Sequence, residues 1–263
     1  MKIKIVVLFF LFVLNSFAQN LDKDISNIFE GHTAALVLYD YNNEKFVKHN
    51  PERCAQRFLP ASTFKIPNSL IGLETGVIKD AEFIILWDSV KTWNKNWNRD
   101  HTLRTAIKYS VVPWYRELAR RMGREKSQHY LNIFDYGNKT IGKQEDFYWL
   151  DNSLKISADE QIQFIKKLYE YKLPVSRRSI DIVKEIIIVD STDNYILFAK
   201  TGGGQKEDEI FIGWYVGYLE TKTNVYLFAL NIDGKAFKEI APLRAEFTYK
   251  VFRELEIINS EEK

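Results

Sequence analysis

Three runs near the C-terminus, Tyr195 to Lys200, Ile210 to Leu219 and Asn224 to Asn231, read as consecutive β-strands. They are rich in aromatic and β-branched residues, and turn-forming segments separate them. A second pair lies far upstream: Ala34 to Tyr39 and Lys45 to His49, joined by the turn Tyr41-Asn42-Asn43. Most of what lies between reads as helix. A strand left alone exposes unpaired backbone groups, so the two sets must find each other. The pattern therefore predicts an α/β chain of the α+β type: one antiparallel sheet closed by the N- and C-terminal segments, with a helical lobe inserted between them.

The helices carry their own punctuation. Pro60-Ala61 precedes a helix from Ser62 to Leu73, with Phe64, Ile66, Leu70 and Leu73 apolar and Gly76 closing it. Leu103 to Tyr109 and Pro113 to Met122 follow, the latter with proline in its first turn and Gly123 at its end. Ser157-Ala158-Asp159-Glu160 is a capping box. It opens a helix that buries Ile162, Ile165, Leu168 and Tyr169 and stops before Pro174. Ser179 to Ile188 and Ile240 to Leu255 complete the set.

The first residues are not part of this architecture. Lys2 and Lys4 form a basic start, Ile5 to Leu14 is apolar, and Ser16-Phe17-Ala18 offers small residues before Gln19. This is the form of a secretory signal peptide, 1–18, cleaved after Ala18. The apolar run is short for a membrane span, and no lipobox cysteine follows it. Residues 19–263 then form a single catalytic domain, secreted or periplasmic, with no membrane attachment after cleavage. The net charge of the whole chain is +2, and Lys2 and Lys4 account for it. A near-neutral mature protein does not suit nucleic acid or a membrane surface. Cys54 is the only cysteine, so no internal disulfide is available; it reads as a small buried hydrophobe.

Ser62-Thr63-Phe64-Lys65 carries possible chemistry. Three residues of separation place a serine and a lysine one helical turn apart on one face. A base that close makes a serine useful as a nucleophile. The pattern alone is weak, since a chain of this size contains roughly one such spacing by chance. Four other segments agree with it: Ser110-Val111-Val112, Tyr136-Gly137-Asn138, Trp149-Leu150 and Lys200-Thr201-Gly202. Each has an ordinary reading in isolation, as a cap, a turn or core. No H-E-x-x-H, G-x-S-x-G or phosphate-loop pattern competes, and His32, His49, His101 and His129 lack ligand spacing.

The order SxxK, SxV, YGN, WL, KTG, with this spacing, resembles the class D β-lactamases, the serine enzymes called oxacillinases. The resemblance extends to Pro60 to Pro67, Leu154-Lys155-Ile156-Ser157, Ile212-Gly213-Trp214 and Phe228-Ala229-Leu230-Asn231. It implies a penicillin-recognising serine-enzyme fold and hydrolysis of penicillin-type β-lactams, hence antibiotic resistance. By the same resemblance, Ser62 is the nucleophile and Lys65 the base. Lys65 takes up carbon dioxide as a carbamate that the Trp149 indole stabilises; no metal or organic cofactor is implied. Ser110 relays a proton, and Lys200 binds Ser110 and lends charge. Backbone N–H groups of Ser62 and Gly203 form the oxyanion hole. Thr201 and Arg244 hold the substrate carboxylate, and Val112 and Leu150 line the cleft. Monomer and homodimer are both compatible with the sequence.

One departure stands out. The residue after Lys200-Thr201-Gly202 is often large or aromatic in this family and here is Gly203. A missing side chain predicts a more open cleft and a looser loop from Gly202 to Gln205. The rival reading is a penicillin-binding sensor, acylated without turnover. Such domains sit on membrane-spanning proteins, and no segment after the signal is long and apolar enough to span.

Overall fold

The structure, a computed structural model, describes residues 23–259; the signal-peptide reading of 1–18 lies outside them. In chain order the elements are β1 (Ala34–Asp40), β2 (Lys45–His49), α1 (Pro51–Ala55), a 3-10 turn (Ala61–Phe64), α2 (Lys65–Glu74), β3 (Ile84–Ile85), β4 (His101–Thr102), α3 (Leu103–Lys108) and α4 (Val112–Phe134). There follow α5 (Ala158–Tyr169), α6 (Arg177–Ile186), β5 (Ile188–Ser191), β6 (Tyr195–Gln205), β7 (Phe211–Thr221), β8 (Val225–Gly234) and α7 (Phe237–Glu254).

The expected closure is present. A six-stranded sheet runs in the order β2-β1-β8-β7-β6-β5, all antiparallel, so the first strand pairs with the last: Leu36 lies opposite Leu230 and Leu38 opposite Phe228. All seven residues of β1 are buried, because both faces of the sheet are covered. Alternation sorts the side chains. Val37, Trp214, Val216, Tyr218 and Leu227 face the helical lobe. Leu36, Leu38, Tyr215, Leu219, Phe228 and Leu230 face α7, where Phe247, Val251 and Phe252 meet them. Burying each such side chain contributes about 1.5–3 kcal/mol.

Several boundaries differ from the sequence reading: the Ser62 stretch is a 3-10 turn with α-helix only from Lys65, the last strand and helix are Val225–Gly234 and Phe237–Glu254, and three more differences have a clear local cause. The helix expected over 179–188 is Arg177–Ile186, capped by Ile187, and Ile188-Val189 leave it to open the edge strand β5, as β-branched residues favour. Gly123 breaks the helical path with φ 77° and ψ 164°, but helix resumes beyond it to Phe134. The strand expected to end at Lys200 continues through Gln205, because Gly202, Gly203 and Gly204 pair with Trp214, Gly213 and Ile212. The looser loop predicted for Gly202 to Gln205 is therefore wrong: backbone pairing with β7 holds it as strand.

Cys54 is buried, and its thiol donates to the carbonyls of His49 and Leu36 at 3.2 and 3.4 Å. Burial pushes the thiol up to about 11, so it packs as the sequence suggested.

Candidate active site

The turn that carries Ser62 is held from three sides. Phe58 exchanges two backbone hydrogen bonds with Ile156, at 3.0 and 2.8 Å. The Trp214 indole donates to the Leu59 carbonyl at 2.9 Å, tying the turn to β7. Ala61 N–H donates to the Trp149 carbonyl at 3.1 Å, and Gln161 Nε2 reaches Thr63 Oγ1 at 3.0 Å from α5. Ala61, immediately before the serine, is left-handed (φ 48°), a conformation costing about 1–2 kcal/mol in a non-glycine residue. Ser110 (φ 55°), at the joint between α3 and α4, is the same. Packing imposes that strain on two residues singled out by the motifs or directly adjacent to them.

Lys65 opens α2 and is 1% exposed. Its Nζ lies 2.8 Å from Ser62 Oγ, the pairing expected from their spacing. The nearest aromatic face is Tyr115, with Nζ 5.0 Å from the ring centroid. The Tyr115 hydroxyl in turn meets Ser69 Oγ at 2.9 Å, and Ser69 donates to the Lys65 carbonyl at 2.7 Å. Among the described residues, no acidic side chain acts on the amine to favour its charged form. Burial, with the positive charge of Lys200 second, holds Lys65 well below the ordinary lysine range. Lys200 is itself lowered to about 7, chiefly by burial and then by Arg244. Burial also brings Arg244 down to about 10. Lys200 and Arg244 thus lie within electrostatic reach of each other, and of the buried Lys65 amine through Lys200, an arrangement suited to an anionic ligand.

Strand β6 lies along the Ser62 turn: a Cβ on Gly202 would sit 3.0 Å from the Pro60 carbonyl oxygen and from Thr63 Cγ2. Arg244 Nη1 donates to the Gly202 carbonyl and Nε to the Ala241 carbonyl, which aims the guanidinium along the strand. Lys200 Nζ donates to the Thr201 carbonyl and hydroxyl, at 3.0 and 3.3 Å, rather than to Ser110 as the resemblance implied. Its partner is thus its own neighbour on β6. A cavity of about 740 Å³ opens beside Lys200 and Thr201, with Ile107, Lys108, Ile187 and Tyr215 in its wall.

Trp149 is fully buried, its ring stacked 5.7 Å from Phe64, the residue before Lys65. Its Nε1 has no hydrogen-bond partner. A buried, unpaired indole N–H costs about 1–3 kcal/mol and calls for an acceptor. Leu150 is half-buried against the helical core, and Val112 is half-buried at the start of α4. Tyr136 packs edge-on against Phe64, and Asn138 bridges to Ser153 and Lys155, so Tyr136-Gly137-Asn138 shapes the site without entering it. Asn231 likewise receives Arg53 Nε at 2.7 Å, beside the Arg53–Asp233 ion pair.

Residues 30–253 match the family model described as penicillin binding protein transpeptidase domain. The chain is 45% identical to beta-lactamase OXA-48 of Klebsiella pneumoniae, over 85% of this chain and 83% of that one. It is 41% identical to beta-lactamase OXA-5 of Pseudomonas aeruginosa, over 83% and 82%. The fold superposes on the class D β-lactamase of Sebaldella termitidis with a TM-score of 0.86 at 42% identity, covering 89% of this chain and 96% of that one. The chain belongs to the class D β-lactamases. Regulatory protein BlaR1 of Bacillus licheniformis is also similar, at 34% identity, but the match spans 36% of its length.

As a class D β-lactamase the chain carries two features that the motif reading missed. Tyr115 was legible, since it stands three residues after Val112 on the same helical face. Phe237 had no such signal. Its ring fills the space beside Gly203: a Cβ there would lie 2.0 Å from Phe237 Cε2. The open cleft predicted at Gly203 is therefore wrong, because an aromatic ring from α7 takes the place of the missing side chain.

Proposed function

We propose that the protein hydrolyses the β-lactam ring of penicillin-type antibiotics through an acyl-enzyme on Ser62. The observation that carries this is the 2.8 Å contact between Ser62 Oγ and the buried Lys65 amine, which burial holds well below the ordinary lysine range. A neutral amine presents a lone pair to the hydroxyl and can take its proton as Oγ attacks the β-lactam carbonyl. The N–H groups of Ser62 and Gly203 face the oxygen as it becomes negative. Ser110 passes a proton to the nitrogen that leaves when the ring C–N bond breaks. Lys200, Thr201 and Arg244 hold the substrate carboxylate, and its negative charge favours the protonated form of Lys200. Val112 and Leu150 close the apolar side of the cleft. Water then releases the acid from Ser62.

The Lys65 pocket also fits carbon dioxide. A buried neutral amine can accept it, and the unpartnered Trp149 N–H is a donor suited to the anion so formed. On Lys65, this group supplies a carboxylate-like oxygen as a proton acceptor. Trp149 would hold it, while Phe64 and Tyr115 keep water from the amine.

The same reading places the protein in the periplasm. Residues 1–18 direct export and are removed, and the catalytic domain, 19–263, meets the antibiotic outside the cytoplasm and confers resistance. Among the described residues no helix is long and apolar enough to cross a membrane. The test is turnover: the mature protein is mixed with a chromogenic cephalosporin and absorbance is followed through many equivalents. Continuous hydrolysis is expected. A single burst equal to the protein concentration overturns the reading in favour of an acylated sensor.

A further inference from the structure

Gly203 and Gly213 lie directly opposite each other on β6 and β7, so their missing side chains open one notch on one face of the sheet. The start of α7 fills it. A Cβ on Gly203 would overlap Phe237, with Cε2 at 2.0 Å and Cζ at 2.6 Å. A Cβ on Gly213 would meet the Arg244 stem, with Cδ at 2.7 Å and Cγ at 2.9 Å. The two occupants touch each other, the Arg244 guanidinium carbon standing 5.2 Å from the centre of the Phe237 ring. The notch therefore seats an aromatic ring and the arginine that reaches the Gly202 carbonyl, as one unit.

Phe237 is not an ordinary core residue. It is 36% exposed, so part of an apolar ring stays open to solvent while the rest is wedged against glycine backbone. Single exposed apolar side chains are common, so what marks this ring is its seat against the glycine pair and the Arg244 guanidinium. Its neighbours are Gly203, which is expected to supply an oxyanion donor, and Arg244, which is expected to hold the substrate carboxylate.

We propose that Phe237 is the aromatic wall of the substrate cleft and sets the preference for bulky acyl side chains, with Gly203 as the residue that makes room for it. This rests on the β-lactam reading above. The wall next to Lys200-Thr201-Gly202 is supplied from α7 rather than from β6, and an aromatic ring at either position excludes the other. Its ligand is an aromatic acyl group, which meets the exposed part of the ring.

The test compares the parent with F237A, G203F and the double variant G203F/F237A, using oxacillin and the side-chain-free 6-aminopenicillanic acid, with kcat and KM separated. F237A should lower the oxacillin to 6-aminopenicillanic acid ratio of kcat/KM by about tenfold, mainly through KM, as expected for a lost aromatic contact. G203F should lose at least about tenfold on both substrates and melt at a lower temperature, because two rings compete for one space. The double variant should return the ratio to within about threefold of the parent, since the ring is restored from β6. An unchanged ratio in F237A, or a double variant no better than F237A, overturns the proposal. A purely structural role would lower the melting temperature without moving the ratio. The same ratio is read from Ser62 acylation rates by intact mass. A parent that is acylated but does not turn over then refutes hydrolysis while still deciding the role of Phe237.

Discussion

Replacing Lys200 with methionine should stabilise the protein at neutral pH while impairing it as an enzyme. Lys200 is 6% exposed, and burial with the neighbouring Arg244 charge lowers its pKa from 10.5 to about 7. Between those values the unfolded chain holds a proton that the native protein lacks, so native stability rises with pH across the window. The full difference is present below pH 7 and gone above 10.5. It corresponds to a native-state penalty of about 4 kcal/mol at pH 7, from 1.36 kcal/mol per pKa unit. Methionine removes the charge and keeps most of the stem. It also deprives the Thr201 carbonyl and hydroxyl of a donor, a loss of about 1–3 kcal/mol. The net expectation is a gain of about 1–3 kcal/mol at pH 6 to 7 that shrinks steadily by pH 9. Urea unfolding of parent and K200M at pH 6, 7.5 and 9 reads the difference directly. A variant less stable than the parent at pH 6, or a difference that does not move with pH, refutes the argument that burial suppresses the Lys200 charge.

Two further outcomes follow from single contacts. W149F removes a buried N–H that has no partner, so melting should shift by no more than about 1–2 kcal/mol equivalent. Activity should become low and unresponsive to added bicarbonate, and a bicarbonate response equal to the parent's would sink the carbon dioxide proposal. G137A places a methyl 2.1 Å from the Lys155 carbonyl oxygen at a residue with φ 55°. Thermal or urea unfolding should show a loss of about 2–4 kcal/mol, and a loss under about 0.5 kcal/mol would mean that this turn is not tightly held.

The sheet was legible because its strands are rich in aromatic and β-branched residues and because the free edge of the β1–β2 pair had only the C-terminal strands to meet. The Ser62–Lys65 pair was legible because a separation of three residues fixes their proximity in any helical turn. The apolar setting of Lys65 could be foreseen from Phe64 and Trp149, and Tyr115 could have joined them through its spacing from Val112. What the sequence hid depends on contacts between distant segments. Gly203 reads as a vacancy until Phe237 is seen beside it, and a glycine triplet reads as a loop until β7 pairs with it. Lys200 was expected to reach Ser110, but a carbonyl and hydroxyl on its own strand were nearer. The helix beyond Gly123 was hidden for the opposite reason: a local break looked like an end.

The central claim is that Ser62 is the nucleophile and that the buried Lys65 drives its turnover. Intact-mass spectrometry of K65A incubated with benzylpenicillin, followed by peptide mapping, tests it most directly. Slow, stoichiometric acylation is expected, with one adduct per chain on the Ser62 peptide, persisting without release. Parental turnover by K65A, or an adduct mapped to another residue, would contradict it.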